Sequence, residues 1–121
     1  MGPEKLRVLH VNDCAFTTTN LMTGARSRGL PWHYLPLAST EPAWRGLQRS
    51  VRRAARGVGW LGQLAGHAAR SDLLHIHFAT VTRHTSWVGR PTVVHLHGTD
   101  ARTYQYDVRL GPLVRRAMDS A

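Results

Sequence analysis

TVVHLHGTD, Thr92 to Asp100, is a short β-branched run that carries histidines at 95 and 97 and then breaks at Gly98 into a polar Thr-Asp pair. Such a run bounded by a turn signal reads as a buried strand, and side chains alternate across a strand, so His95 and His97 share one face. The same pattern stands earlier in SDLLHIHFAT, Ser71 to Thr80, where Leu74, Ile76 and Phe78 are expected on one face and His75 and His77 on the other. Two strands of this kind raise the question of what gathers at their ends.

Working outward, KLRVLHVN (Lys5 to Asn12) reads as a first strand buried on both faces, as in a parallel sheet. TTTNLMTGARSR (Thr17 to Arg28) predicts a helix with a threonine at its N-cap and Gly29 as its stop. PWHYLPL follows as a second strand, placed towards an edge by Pro31 and Pro36. Strand, helix and strand in about 35 residues make a βα unit, so the expected class is α/β: a partial Rossmann-like parallel sheet flanked by helices.

Between Pro42 and Arg70 the apolar residues Trp44, Leu47, Val51, Ala54, Val58, Leu61 and Ala65 recur at helical spacing, while Arg45, Arg49, Arg52 and Arg56 stack along another side. Gly57, Gly59 and Gly62 predict a break or kink in the middle. Tyr104 to Met118 reads as loop followed by helix, with Pro112 near its first turn. A crossover helix should deliver a further strand, and none follows, so residues 1–121 read as one domain truncated before the next strand.

The 121 residues carry 16 Lys+Arg against 7 Asp+Glu, a formal charge of +9, and Lys5 is the one lysine. That balance favours phosphates, anionic headgroups or other acidic partners. No RNA-binding aromatic motif, zinc-finger spacing or helix-turn-helix pattern accompanies it, so nucleic acid is not expected. No apolar stretch has membrane-span or signal-peptide length, which predicts a cytoplasmic protein. Cys14, the sole cysteine, excludes an internal disulfide.

In an open α/β sheet ligands sit outside the carboxyl ends of the strands. Those ends are Asn12 and Asp13, then His77, then His97, Gly98, Thr99 and Asp100. The loop NDCAFTTTN lacks the glycines of a nicotinamide-cofactor fingerprint, although Thr17, Thr18 and Thr19 can offer hydroxyls and helix amides to an anion. Two H-x-H pairs on neighbouring strands also suit one metal ion. A catalytic metal site usually wants a nearby carboxylate, for which only Asp13 and Asp100 are candidates, so neither metal nor cofactor is expected.

The succession KLRVLHVN, a helix ending at Gly29, DLLHIHFA and RPTVVHLHGTDAR resembles the N-terminal domain of retaining glycosyltransferases of the two-Rossmann (GT-B) type, family four. The resemblance implies transfer of a sugar from a nucleotide-sugar donor to an acceptor, usually without a metal ion, with this domain holding the acceptor. It makes His97 the residue that orients hydroxyls and stabilises oxocarbenium-like charge, with Asp100 holding the motif loop or touching substrate. Asn12, Asp13, Thr17, Thr18, His77, Gly98 and Thr99 would then line the cleft. Arg45, Arg49, Arg52 and Arg56 would face a lipid-linked acceptor at an anionic membrane, on the inner face of the plasma membrane. The C-terminal donor-binding domain is not in this sequence, so a nucleotide sugar is expected to bind only with such a domain or a partner chain, and the chain alone is expected to be inactive. Two other readings stay open: a noncatalytic α/β module that binds an anionic ligand or membrane through the basic helix, and a small metal-dependent hydrolase.

Overall fold

The computed structural model describes residues 4–38 and 45–121. Four strands, β1 (Val8–Val11), β2 (Trp32–Leu35), β3 (Leu73–His77) and β4 (Thr92–His95), form one sheet in the order β2-β1-β3-β4. Every neighbouring pair is parallel, with His10 opposite His75 and His77 opposite His95. The chain is an α/β protein with a partial Rossmann-like sheet. All four residues of β1 are buried, as a central parallel strand requires, and β2 lies at the edge where its flanking prolines put it.

From β1 the chain passes through α1 (Thr17–Ser27) to β2 on one side. It then returns through α2 (Gly46–Ala69) past β1 to β3 on the other. Right-handed crossovers in opposite directions put α1 and α2 on opposite faces. The strand order therefore reverses between β1 and β3, and the crevice outside their carboxyl ends is the place where such sheets take ligands.

The main core lies on the α2 face, where Leu9, Val11, Leu74 and Ile76 of the sheet meet Trp60, Leu64 and Ala68. Trp60 also donates its Nε1–H to the Pro36 carbonyl at 2.7 Å, which ties α2 to the end of β2. Beyond β3 a 3-10 turn and the short helix α3 (Thr82–Thr85) lead to β4. After β4 come α4 (Gly98–Arg102), another 3-10 turn and α5 (Gly111–Ser120). Helix α5 packs Val114 and Ala117 on Ala79, with Val94 and Leu96 alongside. Pro112 stands in its first turn, as the sequence suggests.

Three expectations are corrected. Helix α2 is continuous through Gly57, Gly59 and Gly62. Each glycine costs about 1 kcal/mol relative to alanine, but burying Trp60 and Leu64 contributes roughly 1.5–3 kcal/mol apiece and holds that half helical. Secondly, the apolar stripe picked out by its spacing is not the core stripe. Leu47, Val51 and Val58 are 80%, 58% and 71% exposed, while Trp60, Leu64 and Ala68 face the sheet. The cause is length: 24 helical residues span roughly 36 Å, strands of four or five residues about 16 Å, so the N-terminal half of α2 overhangs the sheet. Trp44 of the same stripe lies outside the described residues. Thirdly, α1 has no threonine N-cap. Phe16 occupies that position with φ 60°, and Asp13 reaches in from upstream, accepting from Thr18 N–H at 2.9 Å and from the Thr19 hydroxyl at 2.6 Å.

Candidate functional site

Three loops converge at the carboxyl rim. Asn12 Nδ2 donates to the His77 carbonyl at 3.0 Å, linking the end of β1 to the end of β3. Asp100, fully buried, accepts from Ala79 N–H at 2.8 Å and from Ala101 N–H at 3.0 Å, linking the loop after β4 to the loop after β3. Thr18 is also buried, its hydroxyl donating to the Asn12 carbonyl at 2.7 Å. Thr17, half-buried, opens α1. Asp13, Thr18 and Asp100 thus hold the rim together, each with its polar atoms engaged inside the protein.

The open part of the rim is a depression of about 460 Å³ lined by Cys14, Ala15, His97, Gly98, Thr99 and Arg102. Gly98 and Thr99 are exposed, and the Arg102 guanidinium folds over Gly98, about 3.7 Å from where a Cβ would stand. Arg102 therefore adds a cation that reading the strand ends did not single out. His77 lies beneath this depression rather than in its wall, with no solvent exposure. A second groove of about 300 Å³ lies between α2 and α3, lined by Arg53, Arg56, Trp60, Leu61 and His84. Leu37 and Ala38, just past the carboxyl end of β2, complete its lining, so it opens on the α2 side of the sheet. The exposed Arg45, Arg49, Arg52 and Arg56 belong to the overhanging half of α2 and its approach, and none of them lines the rim depression.

The loops around the rim are strained. Asn12, Ala15 and Phe16 after β1, and Phe78 after β3, have φ of 70°, 51°, 60° and 87°. Non-glycine residues rarely adopt this left-handed region, and such outliers cluster at functional sites. The loop after β1 has no glycine, yet its backbone takes the conformation that glycine would take.

Beneath the rim, one face of the sheet carries a layer of histidines. His10, His75, His77, His95 and His97 project from β1, β3 and the β4 end opposite the α2 core, because they alternate with Leu9, Val11, Leu74, Ile76, Val94 and Leu96. Their rings stack in sequence, with centroids 4.2 Å apart for His75 and His77 and 4.4 Å for His95 and His97. His10 Nδ1 lies 3.1 Å from His77 Nε2. Loss of hydration on burial, with neighbouring imidazoles adding to it, lowers His10 to a pKa of about 4 and His77 to about 3. His75 and His97 are lowered for the same first reason, although Asp100 and Asp13 oppose the shift at His97. Asp13 stays below the ordinary carboxylate value: burial works against ionisation, but hydrogen bonds from Thr19 and Thr18 outweigh it. At neutral pH His10, His75, His77 and His97 are therefore held towards the neutral imidazole, beside the ionised Asp13 carboxylate.

Both H-x-H pairs come together, on adjacent strands as the sequence suggested, and the structure adds His10. Sequence reading missed His10, since VLHVN carries a single histidine with no spacing partner. Only the parallel register puts it opposite His75.

Fold and site together define a doubly wound α/β unit with a rim depression at its strand ends. No family model matches the chain, and no curated protein and no solved structure is significantly similar to it.

Proposed function

We propose that the chain is the acceptor-binding half of a retaining sugar transferase and that its acceptor is held in the rim depression beside His97. The observation that supports this reading is the meeting, at the sheet's switch point, of His97, Gly98 and Thr99 with Arg102 and the strained loop after β1. An exposed guanidinium suits an acceptor phosphate, and the neutral His97 ring can hydrogen-bond a sugar hydroxyl and face positive charge developing at the transferred sugar without repelling it. Asp100 acts here as a positioning residue, because both its oxygens hold backbone N–H groups of the loops that carry the site. The nucleotide-sugar donor would be bound by a C-terminal domain or partner chain facing this rim. Transfer of labelled sugar to a lipid-phosphate acceptor, by the chain paired with such a donor-binding half, should fall on the order of 10²-fold in His97→Ala. An unchanged rate would remove His97 from the chemistry.

A second reading, a module that docks on an anionic membrane through α2, is favoured by one observation. Exposed Leu47, Val51 and Val58 follow one side of the overhanging helix while Arg45, Arg49 and Arg52 follow another. No helix among the described residues is long and apolar enough to cross a membrane. Cosedimentation with phosphatidylglycerol vesicles, lost in Leu47→Glu/Val51→Glu, would support surface docking. Equal sedimentation of that variant would count against it.

A further inference from the structure

We propose that His77, His95 and His97 form a binding site for one zinc-type divalent ion, with His10 as the outer partner that orients His77. This goes beyond sugar transfer and does not rest on it.

One ring nitrogen from each of His77, His95 and His97 lies within 4.8 Å of the others. Tetrahedral zinc with Zn–N of about 2.0–2.1 Å places its ligand nitrogens roughly 3.3 Å apart, so small side-chain rotations close the triad. The buried side-chain atoms without a hydrogen-bond partner, among the described residues, all belong to this layer: His10 Nε2, His75 Nε2, His77 Nδ1 and His97 Nε2. A native protein seldom leaves such atoms unsatisfied without a reason, and their concentration at one place points to a ligand. Two of them, His77 Nδ1 and His97 Nε2, belong to the triad, and His77 is completely shielded from water.

A second triad, His10, His75 and His77, has similar spacing. The hydrogen bond between His10 and His77 decides between them. If His77 Nε2–H donates to His10 Nδ1, His77 keeps a lone pair on Nδ1, but the remaining proton of His10 sits on Nε2. If His10 donates instead, the roles reverse and His77 has no lone pair left. While that bond is kept, His10 and His77 cannot both be ligands. The first tautomer leaves His77 free to join His95 and His97, with His10 accepting its outer N–H, as metal-bound histidines usually arrange. Burial disfavours the protonated forms of His77 and His97, which leaves those two rings ready to ligate at pH 7.

Imidazole-only donors select borderline ions such as zinc over magnesium or calcium. Three protein ligands leave a fourth position open, and His97 belongs to both the triad and the rim depression. An anion or water entering the rim would therefore meet the ion.

The test is equilibrium dialysis of the full chain, stripped with EDTA, against Zn²⁺, with Co²⁺ absorption reporting geometry and Mg²⁺ as the hard-ion comparison. The expected result is one zinc per chain, a tetrahedral cobalt spectrum and no saturable magnesium binding. His95→Ala and His97→Ala should each weaken zinc on the order of 10²-fold or more, and His10→Asn about 10–100-fold. His33→Ala/His67→Ala, outside the layer, should bind normally. Should His77→Ala not fold, the half-buried His95 and His97 positions carry the test, with circular dichroism verifying each variant. The proposal is overturned by the absence of saturable zinc binding, by binding unchanged in His95→Ala and His97→Ala, or by binding lost in His75→Ala but intact in His95→Ala.

Discussion

His10 Nδ1 and His77 Nε2 lie 3.1 Å apart at the centre of the sheet, 67 positions apart in the chain, and both rings are shut off from water. Two neutral imidazoles share one hydrogen bond, and protonating either would place a charge in a site cut off from water and crowded with other imidazoles.

That pair gives the metal-free protein a pH dependence of definite sign. Both groups have folded pKa values, about 4 and about 3, below the ordinary histidine value of 6.5. The unfolded chain therefore binds more protons once the pH drops below 6.5. The stability conferred by neutral His10 and His77 is complete above that value and is lost progressively as the pH falls towards 4 and then 3. Urea unfolding in EDTA should show a midpoint that declines from pH 7.5 through 6 to 5. A flat profile over that range would mean the rings are not sequestered.

Asp100→Ala should act on folding before it acts on any ligand. It leaves the Ala79 N–H without its acceptor, buried among Val114 and Ala117, and also releases the Ala101 N–H. An unsatisfied buried donor costs about 1–3 kcal/mol, so the variant should lose about 2–4 kcal/mol in denaturant unfolding. Wild-type stability with ligand binding abolished would make Asp100 a direct contact instead.

Ala15→Gly should stabilise the protein. The left-handed backbone costs a residue with a Cβ roughly 1–2 kcal/mol, and glycine's extra freedom in the unfolded chain offsets about half of that. The expected gain is about 0.5–1 kcal/mol, read as a higher urea midpoint. A loss would show that Ala15 is held by its side chain rather than by the loop.

Much of this was legible in the sequence because strands and helix ends are local. The runs around Leu9, Leu74 and Val93, the stop at Gly29 and the start at Pro112 each carry their own signal. What could not be read depends on distance in space. Asp13 caps α1 only because Ala15 and Phe16 fold the loop back, and no spacing rule announces two left-handed residues without glycine. The exposed stripe of α2 has proper helical spacing, and only the short sheet beneath it decides that Trp60, rather than Leu47, is buried. Within the site, His77 and His97 were readable as strand ends. His10 joined them through register, and Arg102 through a side chain that folds back over Gly98.

The most direct test of the rim as the ligand site is a titration of the ¹⁵N-labelled chain with phosphorylated sugars and nucleotide sugars, read as amide and imidazole shifts. The account predicts changes confined to Asn12–Thr19, Phe78–Ala79 and His97–Thr103, with the apparent Kd weakened on the order of tenfold in Arg102→Ala. Shifts gathered at Arg53, Trp60 and His84 in the groove between α2 and α3, with the rim unmoved, would contradict it.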